Sequence, residues 1–226
     1  MKSLSILAAI LATGALCAQE SAEPLNARVI LFGETTQTSS ILLGQGVKDQ
    51  AGYQTGAGIR FMGQIDDSRW YWEVGGRFDS SAHMVTNRDI SSAPPANVLD
   101  ATQTKIHYSY WSIGGAYLVP LGSAVDLGLH LEGRGETINP KGQYSTTGGG
   151  VGSINAHNVY FRPWVRLSLD VKFGMGSLHP FIGIEGGAAA VKTSQAQIMP
   201  LSALDANTLR ALAPTWSGSL YAGIQF

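Results

Sequence analysis

Eight stretches of this chain alternate between apolar and polar residues with a period of two, which a β-strand satisfies and a helix does not. The apolar sets read Ala27, Val29, Leu31, Gly33; Tyr53, Thr55, Ala57, Ile59, Phe61; Trp70, Trp72, Val74, Gly76, Phe78; and Ile106, Tyr108, Tyr110, Ser112, Gly114, Ala116, Leu118. They continue with Val125, Leu127, Leu129, Leu131, Gly133; Val159 to Phe173 at every second residue; Ile182, Ile184, Gly186, Ala188; and Trp216 to Phe226 at every second residue. None of these positions is charged. The opposite parity carries Arg28, Arg60, Arg77, Lys105, Arg134, Arg162, Arg166 and Lys172 together with Glu34, Glu73, Asp79, Asp126, Glu132, Glu136, Asp170 and Glu185. Strands are therefore predicted over about 25–34, 53–63, 70–79, 104–118, 124–136, 159–173, 180–190 and 215–226.

A water-soluble sandwich or lipocalin-like barrel also has one apolar and one polar face, so alternation does not choose between them. The connections do. They run long, short, long, short, long, short, long, over about 35–52, 64–69, 79–104, 119–124, 137–158, 174–179 and 191–214. Membrane barrels of bacterial outer membranes have even strand numbers, short periplasmic turns and long outer loops. The aromatics sort by height as such barrels require, with Phe61, Trp70, Phe173 and Phe226 at an inner rim and Tyr53, Phe78, Tyr108, Phe161 and Trp216 at an outer one. The fold class expected is all-β, an eight-stranded antiparallel up-and-down transmembrane barrel. Ten strands fit if a long loop hides a hairpin. Gly58, Gly75, Gly115, Gly183, Gly187 and Gly223 are expected to point inward, where small residues let a narrow barrel close.

The amino terminus reads as an address. Met1, Lys2 and Ser3 precede an apolar run from Leu4 to Ala12 and the small residues around Ala15 and Ala18, the pattern of a signal peptide occupying residues 1–18, with the barrel over residues 19–226. The apolar run is shorter than the roughly 20 residues of a helical membrane span. Cleavage removes the single cysteine, Cys17, so disulfides and thiol redox chemistry are excluded from the mature chain. A net charge of −1 over 226 residues offers no basic surface for nucleic acid. No pair of histidines at metal-ligand spacing and no phosphate-cradling loop is present, so no metal site and no cofactor is expected.

The chain closes on Tyr221, Ala222, Gly223, Ile224, Gln225 and Phe226. This resembles the C-terminal insertion signal of outer-membrane barrels, with Gly223, Ile224 and Phe226 as its carriers. With the eight-strand layout, the chain resembles the small OmpA and OmpX type of outer-membrane β-barrel domain. The resemblance implies a bacterial outer-membrane location, with lipid and the barrel insertion machinery as partners. Since the chain stops at Phe226, no peptidoglycan-binding domain is expected after the barrel.

An eight-stranded barrel has room inside for side chains and little else. Tyr71, Trp111, Tyr160, Trp164 and Tyr221 share the inward parity with the charges. A confined unpaired charge is costly, so the charges are expected to pair into a plug. Its expected members are Glu73, Arg77, Asp126, His130, Glu132, Arg134, Arg162, Arg166, Asp170, Lys172 and Glu185. A non-enzymatic structural or surface-interacting role through four long loops follows. A narrow diffusion channel ranks second and a lipid-modifying enzyme third. For the last, His107 and Ser109 share a strand face and can pair as base and nucleophile. Their tripeptide, His107-Tyr108-Ser109, resembles one in outer-membrane lipid A deacylases, although position 121, where those enzymes carry an acid, is Leu121. Parity turns both inward, away from lipid, although Trp111, Ile113 and Val119 on that parity blur the face. In the loops, Pro94-Pro95 and Gly148-Gly149-Gly150 read as flexible surface segments. Leu201, Leu204, Leu209 and Leu212 lie near helical spacing, giving a rim helix or a docking site for an extracellular partner.

Overall fold

The computed structural model describes residues 26–38, 53–83, 98–99, 105–145, 151–155, 157–173, 178–191, 197–198 and 213–226. The expected signal peptide over 1–18 and the leucine stretch over 201–212 lie outside the described residues. Among the described residues eleven strands occur, in chain order β1 (Ala27–Thr38), β2 (Tyr53–Gln64), β3 (Trp70–His83), β4 (Val98–Leu99), β5 (Lys105–Pro120), β6 (Val125–Ser145), β7 (Val151–Asn155), β8 (Asn158–Lys172), β9 (His179–Ala189), β10 (Gln197–Ile198) and β11 (Pro214–Gln225). Eight of them close into an antiparallel barrel in the order β1, β2, β3, β5, β6, β8, β9, β11 and back to β1. The other three are short additions to its wall: β4 and β7 pair with the far end of β6, and β10 pairs with β8.

Closure is made along the whole of β1 and β11, from Arg28 opposite Gln225 to Thr38 opposite Pro214. The seam ends on Phe226, whose backbone N–H donates to the Ala27 carbonyl at 3.0 Å while its own carbonyl accepts from the Ala27 N–H at 2.9 Å. Ile224 faces outward at 47% exposure. Gly223 is pressed between Val29 and the Phe181 ring: an added Cβ would sit 2.6 Å from the Val29 carbonyl oxygen. Of the three residues that carry the resemblance to an insertion signal, Gly223 and Ile224 thus lie on the closing strand and Phe226 immediately follows it. The Ala27 and Phe226 end of the seam, the 65–69 and 121–124 connections, and Phe173 and Leu178 at the facing ends of β8 and β9 lie at one end of the barrel. In the first of these, Asp66 takes a positive φ of 49°, a conformation that aspartate tolerates better than most residues.

The structure departs from the sequence expectations at several places. The inward face of β5 is Ile106, Tyr108, Tyr110, Ser112, Ala116 and Leu118; His107, Ser109, Trp111 and Ile113 look outward. Register decides this, because Tyr110, Ser112 and Gly114 stand opposite Glu136, Arg134 and Glu132, whose face is fixed by charge. Tyr108 therefore leaves the outer aromatic rim, Trp111 leaves the lumen, and Lys105 is exposed. Gly114, not Gly115, is the inward glycine of β5, with an added Cβ 2.7 Å from the Glu132 Cα. Asp79 is displaced by a β-bulge: Arg77 pairs with Tyr110 and Ser80 with Tyr108, so Phe78 and Asp79 together oppose Ser109 and both face outward. Finally, much of the connection expected over 137–158 is sheet, since β6 runs on to Ser145 and pairs with β7.

The outer wall is a continuous apolar surface, with Leu31, Ile113, Leu131, Leu167, Ile184 and Leu220 all more than half exposed. Rings cap outward glycines on β6, Phe161 lying over Gly133 and Trp111 over Gly135. Room for a side chain differs sharply from glycine to glycine. A Cβ on Gly58 would lie 2.7 Å from Phe32 Cε2 and closer still to the Gly76 carbonyl, whereas one on Gly186 would meet nothing within 4 Å. Gly58→Ala is expected to destabilise the folded barrel by about 1–3 kcal/mol. Gly186→Ala is expected to leave stability unchanged or slightly raised. Denaturant titration of the protein in micelles, followed by tryptophan fluorescence, compares the two.

Candidate functional site in the barrel lumen

Alternation on eight strands brings six buried arginines and seven buried carboxylates to one axis: Arg28, Arg60, Arg77, Arg134, Arg162 and Arg166 against Glu34, Glu73, Asp126, Glu132, Glu136, Asp170 and Glu185. Part-buried Lys172 makes the signs equal. The outward displacement of Asp79 and Lys105 removes one charge of each sign, so balance survives the correction.

The charges stack in tiers. At the short-turn end, Arg28 spans Asp126 at 2.6 Å and Asp170 at 2.7 Å, and Lys172 reaches Asp126 at 3.1 Å. The Tyr221 hydroxyl donates to Asp170, and the Arg28 guanidinium sits 5.2 Å from the Phe181 ring centre and 5.5 Å from that of Tyr71. The middle tier centres on Arg166, which donates to Glu73 at 2.8 Å, to Glu132 at 3.0 Å and to Glu185. Arg60 holds Glu185 through two parallel bonds of 2.9 Å, the fork geometry that suits guanidinium to carboxylate.

Above it, Arg134 donates to Glu132 at 2.5 Å and to Glu34 at 3.3 Å. Its plane lies between the Tyr110 and Trp164 rings, each 4.1 Å away, so aromatic faces replace part of the lost hydration. Arg77 lies 3.6 Å from Glu34 and 4.7 Å from the Tyr108 ring centre. In the last tier Arg162 grips Glu136 at 2.5 and 2.7 Å and donates to the Pro214 carbonyl at 2.8 Å, while Tyr108 donates to Glu136 at 2.7 Å.

All eleven named lumen residues lie in these tiers. His130 joins through Nδ1, 2.8 Å from Glu73, and Nε2, 2.9 Å from the Ser168 hydroxyl. Carboxylate, imidazole and hydroxyl in that order form the constellation used for acyl transfer. All three are at most 4% exposed, wedged against Arg166, which leaves Ser168 no face for a substrate. The sequence reading had Arg28, Arg60, Glu34 and Glu136 on the right parity but outside the named network. It missed Tyr108, Tyr110 and Ser168 altogether. Tyrosine has an apolar body and a polar tip, so only the register with β6 reveals that Tyr108 and Tyr110 send hydroxyls to lumen glutamates.

On the outer wall the structure places His107 and Ser109, with His107 Nδ1 3.0 Å from Asp79 Oδ2. The expectation that these two residues face inward is overturned.

No protein-family model matches the chain, and no curated protein matches it. Among solved structures it is similar to neisserial surface protein A, at 11% identity and a TM-score of 0.46 over 88% of this chain and 95% of that one. It is also similar to the attachment invasion locus protein of Yersinia pestis, at 9% identity and a TM-score of 0.40 over 88% and 97%. A major outer membrane protein from Thermus thermophilus matches at 8% identity and a TM-score of 0.49 over 88% and 98%. These are likenesses of layout. The closed eight-stranded, antiparallel, up-and-down topology is itself that of the small outer-membrane β-barrels.

Arg166 neutralises three carboxylates at once, so Arg166→Met leaves Glu73, Glu132 and Glu185 crowded and buried. It is expected to cost about 3–5 kcal/mol. Lys172→Met is expected to cost about 1 kcal/mol or less, because that side chain is 20% exposed and Asp126 keeps Arg28. Urea unfolding in micelles measures both.

Proposed function

We propose that the protein is exported through a cleaved signal peptide and spans the bacterial outer membrane as a closed barrel. Its role is structural or surface-interacting, through the loops at the end opposite the short turns. The observation that carries this reading is the pairing of lumen charges from Arg28 at one end to Arg162 at the other, with seven cations set against seven anions. A lumen filled in this way leaves transport without a path, since each guanidinium that moved aside would strand a carboxylate in a confined space.

The wall supports the location. Exposed leucines, isoleucines and valines in a continuous band exceed what a water-facing surface carries, and each of the eight barrel strands is paired on both sides, as hydrocarbon demands. Trp70, Phe173 and Phe226 mark one rim of that band and Phe78, Phe161 and Trp216 the other, all exposed. The partners this reading names are outer-membrane lipid, the machinery that inserts barrels, and an extracellular ligand of the loops.

Refolded wild-type protein, shown to be inserted by heat-modifiable migration, is expected to give no stable openings in planar bilayers. A large, steady conductance would overturn the plug and make the lumen charges selectivity determinants. Fractionation of cells is expected to return the chain in the outer membrane with Gln19 as its first residue, read by intact mass.

A further inference from the structure

The outer wall at the β3 bulge is graded along the membrane normal. Val74, Ile113 and Leu131 belong to the aliphatic band. One level up stand Phe78, Trp111 and Phe161, each more than half exposed, with the Trp111 and Phe161 rings 6.1 Å apart. Next come Ser109, opposite Thr137, and then His107, opposite Asn139 and Ser81. Last come Lys105 and Lys141, directly opposed and both exposed. Like charges facing each other across a strand pair repel, so this pair is suited to an anion between them. Acyl chain, ester and anionic headgroup follow one another in this order in a membrane lipid, with protein rings at the boundary between chain and ester.

The chemistry-bearing groups lie at the level of the ester. The bulge turns Asp79 out of the parity that the rest of β3 follows and sets it against His107, at 3.0 Å. A carboxylate only accepts, so Nδ1 of the neutral imidazole carries the proton and Nε2 presents a lone pair. Ser109 is two residues along the same strand face, about 7 Å in backbone rise, which an imidazole leaning along the strand spans. The side chains of His107 and Asp79 are 25% and 60% exposed, so this triad, unlike the lumen set of Glu73, His130 and Ser168, is open to a substrate.

We propose that Asp79, His107 and Ser109 form an outward-facing site that hydrolyses acyl esters of anionic membrane lipids. Ser109 Oγ attacks the ester carbonyl while His107 Nε2 takes its proton. The bond to the lipid alcohol breaks, and the imidazolium returns the proton to the departing oxygen. Water then attacks the acyl-serine, giving one proton to His107, which passes it back to Ser109 Oγ as the fatty acid leaves. Ser109 and His107 are the catalytic residues; Asp79 is a positioning residue that fixes the tautomer and orientation of His107.

The full chain, folded in micelles, is treated with an alkyl fluorophosphonate and mapped by peptide mass; the label is expected on Ser109. Reconstituted protein is then offered phosphatidylglycerol vesicles in one arm and lipopolysaccharide in the other, with released fatty acid measured. Ser109→Ala and His107→Gln are expected to lower release on the order of a hundredfold or more while keeping heat-modifiable migration. Asp79→Asn is expected to lower kcat with KM unchanged, and Asp79→Glu to recover much of it. Release in the phosphatidylglycerol arm alone assigns the substrate as a glycerophospholipid ester, and release in the lipopolysaccharide arm alone as an acyl ester of its lipid anchor. No release in either arm with Ser109 unlabelled overturns the proposal, as does release that Ser109→Ala leaves unchanged. Either result stands apart from the conductance test, which concerns the lumen.

Discussion

Closure of the sheet upon itself is the constraint from which the rest follows. In hydrocarbon an unpaired backbone N–H or C=O has no water to turn to, so a spanning sheet must have no edge. Here β1 meets β11 over its full length and Phe226 supplies the last two bonds of the seam. Once eight strands are closed, side chains of one parity have nowhere to go but a narrow axis. The charged residues of that parity are thereby committed to the same confined space. The charge balance of the lumen is a consequence of closure as much as a device for stability.

That space is filled by long side chains whose demands interlock. Glu132 is shared by Arg134 and Arg166, Glu185 by Arg166 and Arg60, and Asp126 by Arg28 and Lys172. Aromatic rings separate the tiers: Trp164 lies beside both Arg134 and Arg162, and Phe32 lies 5.1 Å from Arg60. Glycines make the room. Gly56 leaves space for the Arg77 guanidinium and Gly187 for the Arg166 stem, and a Cβ at either would lie under 3 Å from that side chain.

Where charge marks the inward face, sequence shows it well. In β6 and β8 the run Asp126, Glu132, Arg134 and Glu136 and the run Arg162, Arg166 and Asp170 fix face and register without a structure. In β5 no inward residue is charged, and Tyr108 and Tyr110 resemble wall residues until their hydroxyl partners are seen. Asp79 could not be placed by alternation at all, since a bulge changes the period by one residue and leaves no mark in composition. The β6–β7 hairpin was hidden by Gly148, Gly149 and Gly150, which read as a loop. The lumen was therefore legible as a set of residues, whereas the outward cluster at Asp79 depends on two features, the face of β5 and the bulge of β3, that only geometry supplies.

The hairpin has a mechanical consequence. β6 leaves the last of its pairing with β8 at Ile138 and continues without a break to Ser145, flanked by β7 and, at its tip, by β4. Seven further residues at about 3.4 Å each carry it roughly 24 Å along the strand direction. Because its hydrogen-bonded ladder is continuous with the barrel wall, this projection is a lever and not a tether. A load on its tip is delivered as torque to the wall between β5 and β8.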